Sequence, residues 1–216
     1  MGAVNILLVD DHALFRSGIH ALLQRYPEFT VVGEATDGLE GFKQAKLLMP
    51  DVVLLDLNMP GISGLEALKM IKEAMPDTCV IMLTVSEDAD DLLSAIRAGA
   101  NGYLLKNIDM DAFVDSLNHA INGEAVISPQ LTSKLVSGLQ GGKYPSAASA
   151  EQELSARERE VLALLAEGAS NKELARRLDV AESTIKIHIQ HILRKLNLTS
   201  RVQAAVYAIE HGYAKR

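Results

Sequence analysis

Residues 52–61 read Val52-Val53-Leu54-Leu55-Asp56-Leu57-Asn58-Met59-Pro60-Gly61. Four apolar residues in a row end on a carboxylate, and a Pro-Gly pair closes the segment. An apolar run without alternation fits a strand buried on both faces, the condition of a parallel sheet covered by helices. Similar runs stand at Asn5–Val9, Thr30–Gly33, Val80–Val85 and Gly102–Leu105. Amphipathic stretches of helical period separate them, at Ala13–Arg25, Gly38–Leu48, Gly64–Ala74, Asp88–Ala98 and Met110–Asn122. Five strand–helix units in succession predict a doubly wound α/β domain over residues 1–123, built on a five-stranded parallel sheet.

Ligands of such sheets bind at the carboxyl ends of the strands. Asp10 and Asp11 follow the first predicted strand, Asp56 ends the third, Thr84 lies near the end of the fourth and Lys106 closes the fifth. Three convergent carboxylates raise one another's pKa unless a cation joins them. Mg²⁺ suits a site of a few carboxylates, water and phosphate. In that setting Asp56 is the nucleophile that forms an acyl phosphate, Lys106 neutralises developing charge, and Thr84 offers its hydroxyl to a phosphoryl oxygen. Each residue alone has an ordinary explanation as a helix cap, a strand former or a solvated lysine. Their coincidence at strand ends is what points to a site.

Composition narrows the class. Hydrophobic residues make up 48% and charged ones 23% of the 216 residues, there is no Trp, and no apolar run approaches the roughly 20 residues that span a bilayer. The start lacks a basic, signal-like region, and the lone Cys79 sits in an apolar run as an inert thiol; both fit the cytoplasm. Charge is uneven. Residues 1–150 hold 10 Lys/Arg against 19 Asp/Glu, whereas 151–216 hold 11 against 9, and 168–201 hold 7 against 3. A basic stripe confined to one end suggests nucleic acid at that end only.

Residues 124–153 read as a connecting segment, with one more short helix after Pro129 and a linker at 140–153 rich in Gly, Ser and Ala. From residue 154 to 216 the pattern is wholly helical. Ser155/Glu158 and Ser170/Glu173 form capping-box patterns that open helices ending near Gly168 and Leu178. A third helix is expected from Glu182 to Leu196 and a fourth from Ser200 to Glu210. The second and third make a helix-turn-helix, whose second member enters the major groove. On it Ile185, Ile189, Ile192 and Leu193 point to the core, leaving Lys186, Gln190 and Arg194 along an adjacent face flanked by Thr184, Ile187, His188 and His191. Lys186 and Gln190 suit base edges; Lys172, Arg176, Arg177, Lys195 and Arg201 are candidates for phosphate contacts. The histidines lack zinc-site spacing.

Val9-Asp10-Asp11-His12, Leu54–Gly61, Leu83-Thr84 and Gly102-Tyr103-Leu104-Leu105-Lys106 together resemble the signature of a response-regulator receiver domain. The resemblance implies phosphorylation of Asp56 by a sensor histidine kinase, and Mg²⁺ held by Asp10, Asp11, Asp56 and the backbone carbonyl of Asn58. It also implies phosphoryl contacts from Thr84 and Lys106, with Tyr103 as an aromatic switch. Leu154–Val161, Gly168–Ala175 and Glu182–His188 resemble the LuxR-type DNA-binding domain. The pair is similar to the NarL/FixJ class of transcription regulators, and Asp56–Pro60, Thr84-Val85-Ser86 and Ser200–Ala205 are similar to its nitrate/nitrite regulators. This implies a non-enzymatic switch that binds double-stranded DNA as a homodimer on paired half-sites. Its last helix, with Val202, Ala205, Val206 and Ile209, serves dimerisation or core packing.

Three positions depart from those patterns. Asn107 replaces the proline common after the receiver lysine, so a trans bond is expected there. Ala181 stands where a capping Ser or Thr is usual, and Gln190 where nitrate regulators carry a base-reading Lys. Two rival readings remain: an aspartyl-nucleophile phosphatase, for which Asn58 replaces the second carboxylate, and a phosphorylation-independent DNA-binding protein with a vestigial receiver.

Overall fold

The computed structural model describes residues 2–132, 154–196 and 198–213; the expected linker at 140–153 lies outside the described residues. Strands β1 (Val4–Val9), β2 (Phe29–Ala35), β3 (Val52–Asp56), β4 (Cys79–Thr84), β5 (Gly102–Leu105) and β6 (Val126–Ile127) form one parallel sheet in the order β2-β1-β3-β4-β5-β6. The chain runs outward from β1 to β2 and then back to β3, so the order reverses between β1 and β3. That switch point is where a doubly wound sheet opens a crevice. Asp10, Asp11 and Asp56 stand at it.

Side chains alternate across the pleat and divide the apolar residues between two cores. On one face Ile6, Leu8, Leu54 and Leu83 pack under α1 (Ala13–Leu23) and α5 (Met110–Ile121). On the other, Leu7, Val9, Val53, Leu55 and Met82 pack under α2 (Gly38–Leu48), α3 (Gly64–Ala74) and α4 (Ala89–Arg97). Burial of both faces is what the unbroken apolar runs required.

The sixth strand was not expected. Two residues are too short for any period, and β6 forms because the edge of β5 offers unpaired backbone groups. Ser128 N donates to the Tyr103 carbonyl at 3.1 Å, and Leu105 N donates to Ser128 Oγ at 3.0 Å. Residues 129–132 are helical, where a short helix was expected to begin. No cis peptide occurs among the described residues, so the bond between Lys106 and Asn107 is trans as expected. Nor is any described helix long and apolar enough to cross a membrane.

The C-terminal domain consists of α6 (Ala156–Ala166), α7 (Asn171–Leu178), α8 (Glu182–Lys195) and α9 (Arg201–Glu210) around Val161, Leu162, Leu165, Leu174, Ile185 and Ile192. Both capping boxes form with their reciprocal bonds. Asp179, left-handed at φ 52°, ends α7 and turns the chain into α8. Ala181 caps α8 without a side-chain bond.

Helix α9 joins the two domains. Ala204, Tyr207 and Ala208 complete the C-terminal core, whereas Val202, Val206 and Ile209 pack into the N-terminal core beside α4. The dimerisation and core-packing accounts of this stripe thus meet a third: it docks one domain on the other. Gln203 Nε2 donates to the Arg97 carbonyl at 3.0 Å. Gly99, at φ 100°, admits Thr199 so closely that a Cβ there would lie 2.4 Å from Thr199 Oγ1.

Candidate functional sites

The crevice gathers the acidic set. Asp10 and Asp56 are 3% and 2% exposed at the ends of β1 and β3, and Asp11 is exposed beside them. Gly64 makes the tight exit from β3 possible: a Cβ there would lie 1.9 Å from the Asp56 carbonyl oxygen, so only glycine lets α3 begin directly under the Asp56-Leu57 backbone. Lys106 Nζ reaches in from β5 to 2.9 Å from Asp10 Oδ2 and 2.8 Å from Asp56 Oδ2. Lys106 is thus the shared ion-pair partner of two buried carboxylate oxygens. Its ammonium also lies 4.9 Å from the centre of the Phe15 ring, which shields one side of it.

Burial pushes the Asp56 carboxyl above its ordinary range, while Lys106 pulls against that shift and Asp10 adds to it. A buried pair of acids held by one lysine is electrostatically under-compensated. The chemistry of the donors fits a divalent ion: oxygens from Asp10, Asp11 and Asp56 lie within 4.8 Å of one another, one lysine faces two buried carboxylates, and a site of this kind suits Mg²⁺. Asn58 N approaches Asp56 Oδ1 at 3.4 Å, which keeps its backbone at the edge of the cluster.

Thr84 and Tyr103 belong to the same end of the sheet. Thr84 is fully buried and its Oγ1 accepts from Ser86 N at 2.9 Å. Ser86 Oγ in turn donates to Asp91 Oδ2 at 2.6 Å, tying the β4 end to α4. Tyr103 is wholly buried in the core on β5, which β6 flanks. Its hydroxyl lacks a well-directed partner, and burial, with Asp91 next, pushes it well above the usual phenol range. Cys79 is a half-covered thiol raised to about 11 by burial, consistent with an unreactive group.

On α8 Ile185, Ile189 and Ile192 are buried while Lys186, Ile187, Gln190 and Arg194 are exposed, and Thr184 and His188 lie between these extremes. This face looks across clefts onto the N-terminal domain. Lys186 and Gln190 share one with Pro76, Asp77, Asn101 and Asn122, and Arg194 shares another with Pro76 and Asp77. Lys172 is exposed at the start of α7.

Two basic residues expected at phosphates are engaged inside their own domain. Arg201, 9% exposed, donates to Asn171 Oδ1 and to the Ala169 carbonyl, and burial lowers its guanidinium to about 10. Lys195 Nζ lies 2.7 Å from Glu158 Oε2. Burial raises the Glu158 carboxyl, but Lys195 and Ser155 outweigh it and hold it below the ordinary carboxylate range. Helical spacing alone does not distinguish such inward-turned cations from exposed ones.

His12, quoted in the acidic motif but given no role from sequence, sits over the cluster. Its Nδ1 is 2.7 Å from Asp11 Oδ1, 3.3 Å from Asp10 Oδ1 and 3.7 Å from Asp56 Oδ2. The available signal was its position, a poor helix-capping residue directly after two acids.

Residues 6–118 match the response regulator receiver domain, and residues 152–208 match the luxR family of bacterial regulatory proteins. The chain belongs to the LuxR-type response regulators. Among its relatives, the nitrate/nitrite response regulator protein NarL of Escherichia coli K12 is 43% identical over 202 residues, 94% of this chain and 93% of the relative. The transcriptional regulatory protein LiaR of Bacillus subtilis is 40% identical over 205 residues, 95% and 96% of the two chains. The crystal structure of the response regulator ChrA from a heme-sensing two-component system superposes with a TM-score of 0.54 at 32% identity, covering 99% of this regulator and 100% of ChrA. The regulator is thus a two-component protein with a receiver and a LuxR-type DNA-binding domain.

Proposed function

We propose that residues 1–123 receive a phosphoryl group on Asp56 and that residues 154–216 bind DNA when it arrives, with 124–153 connecting the two. The observation that carries this reading is the buried Asp56 carboxylate at the sheet's switch point, held beside Lys106 and Asp10. In the transfer an Asp56 oxygen attacks the phosphorus of a kinase phosphohistidine, the P–N bond breaks, and the histidine nitrogen recovers a proton. Mg²⁺ held by Asp10, Asp11, Asp56 and the Asn58 carbonyl would supply positive charge toward phosphoryl oxygens. Lys106 neutralises charge from the β5 side, and Thr84 turns its hydroxyl inward. Releasing Thr84 from Ser86 loosens the Ser86–Asp91 tie to α4, and Tyr103 has its buried hydroxyl on this path.

The resting form holds the α8 face against the receiver, where DNA has no access to Lys186, Gln190 and Arg194. Undocking frees that face, and it frees Val202, Val206 and Ile209 for a second copy. Two α8 helices then address half-sites about one DNA turn apart, with Thr184, Lys186, Ile187, His188 and Gln190 toward bases and Lys172 and Arg194 toward phosphates. Lys195 and Arg201 hold this domain together while lying close to the same surface. The chain works in the cytoplasm as a regulator rather than an enzyme. Its likeness to NarL suggests nitrate or nitrite as the signal class.

The test is DNA-site selection with the full-length protein, unphosphorylated and treated with acetyl phosphate, alongside Asp56→Asn. Phosphate uptake that depends on Asp56 and tightens DNA binding supports the proposal. Labelling that survives Asp56→Asn, or DNA affinity indifferent to phosphorylation, overturns it.

A further inference from the structure

We propose that His12 is a ligand of the divalent ion in the Asp10–Asp11–Asp56 cluster, and that its nitrogen biases the site toward Co²⁺, Ni²⁺ or Zn²⁺ relative to Mg²⁺. The inference rests on the reading of those three carboxylates as a metal site and adds a donor of a different kind.

Position 12 is the N-cap of α1, where Ser, Thr, Asp or Asn stabilises a helix by accepting a backbone N–H. His12 has the extended backbone of a cap, at φ −83° and ψ 99°, but makes no capping bond with its side chain. Its ring instead turns over the acids. Residues that forgo a local preference in this way are commonly serving a site.

The distances agree with coordination. Two ligands in adjacent positions, each about 2.1 Å from an ion, are about 3 Å apart. His12 Nδ1 stands 2.7, 3.3 and 3.7 Å from oxygens of Asp11, Asp10 and Asp56, and one donor atom from each of the four residues falls within a 4.8 Å cluster. The buried Asp10 and Asp56 carboxylates in the same cluster share the single ammonium of Lys106, which leaves the cluster short of positive charge. The ring coordinates through the Nδ1 lone pair in its neutral form, with the proton on Nε2. Imidazole favours the later first-row ions, whereas an all-oxygen set suits Mg²⁺.

Co²⁺ and Mg²⁺ titrations by calorimetry on the full-length protein, His12→Ala and His12→Asn test this. We expect Co²⁺ affinity to fall about tenfold in both variants while Mg²⁺ affinity changes by less than about twofold. Asn is a good helix cap, so His12→Asn guards against a loss that merely reflects folding. With Mn²⁺ as probe, pulsed electron paramagnetic resonance should detect a nitrogen coupling in the wild type that vanishes in His12→Ala. An unchanged Co²⁺ to Mg²⁺ preference, or no nitrogen coupling in the wild type, overturns the proposal and leaves His12 as a hydrogen-bond partner of Asp11. Asp11→Asn separates the underlying reading: if Mg²⁺ binds it as tightly as wild type, the carboxylate site itself falls, and His12 ligation with it.

Discussion

Gln203 of α9 donates its side-chain amide to the carbonyl of Arg97, the last residue of α4, at 3.0 Å. One residue of the DNA-binding domain thereby reads the position of the receiver helix whose other end is tied to Thr84 through Ser86 and Asp91. A hydrogen bond of this type contributes about 1 kcal/mol net. Gln203→Ala should therefore raise the DNA affinity of the unphosphorylated protein by about fivefold, with affinity in the presence of beryllofluoride little changed. Equilibrium DNA binding in both states measures it, and equal gains in the two would refute a role in docking.

Gly99 offers an independent probe of the same interface. Its φ of 100° costs an L-residue roughly 1–2 kcal/mol, and a Cβ would meet Thr199 Oγ1 at 2.4 Å. Gly99→Ala should lower receiver stability by about that amount and also undock the C-terminal domain. Combining it with Thr199→Gly should restore docking without restoring stability, because the second change removes the clash and leaves the backbone strain.

Lys72 gives a pH dependence of stability. Its buried ammonium donates to the Thr78 carbonyl and to Asn101 Oδ1, both at 2.7 Å, and burial pulls it from 10.5 down to about 8. Between those values the unfolded chain keeps a proton that the folded protein has released, so this group's contribution to stability rises as pH increases from about 8 to about 10.5. The difference in urea-unfolding free energy between wild type and Lys72→Met should grow in favour of wild type across that window. A flat difference would show that the lysine stays charged.

Arg201 and Lys186 should separate structure from DNA contact. Arg201→Ala leaves Asn171 and the Ala169 carbonyl without their buried donor and should destabilise the C-terminal domain by on the order of 3 kcal/mol. Lys186→Ala, on the exposed face, should leave thermal unfolding unchanged and weaken DNA binding, whether it meets base or phosphate. Thermal melts paired with DNA titrations at several salt concentrations decide between them.

The receiver fold was readable because each buried strand left an apolar run and each strand end left a chemical residue: Asp10, Asp56 and Lys106 come together, and Thr84 ends the neighbouring strand. The capping boxes at Ser155 and Ser170 were equally direct, since a cap is a local interaction between residues three apart. What sequence did not disclose was long-range. Arg201 turns inward because Asn171, thirty residues earlier in the chain, accepts from it. Helical period placed Val202, Val206 and Ile209 on one stripe without saying that its partner would be α4. His12 escaped notice because its significance lies in three distances, none implied by its order in the chain.

The short β6 has one more consequence. By occupying backbone groups of Gly102, Tyr103 and Leu105, it removes much of the template that an exposed strand offers to foreign chains. Open sheet edges invite indiscriminate strand addition, and this one is blunted by two residues and a serine. Contacts on that flank are therefore steered away from cross-β pairing and left to side chains.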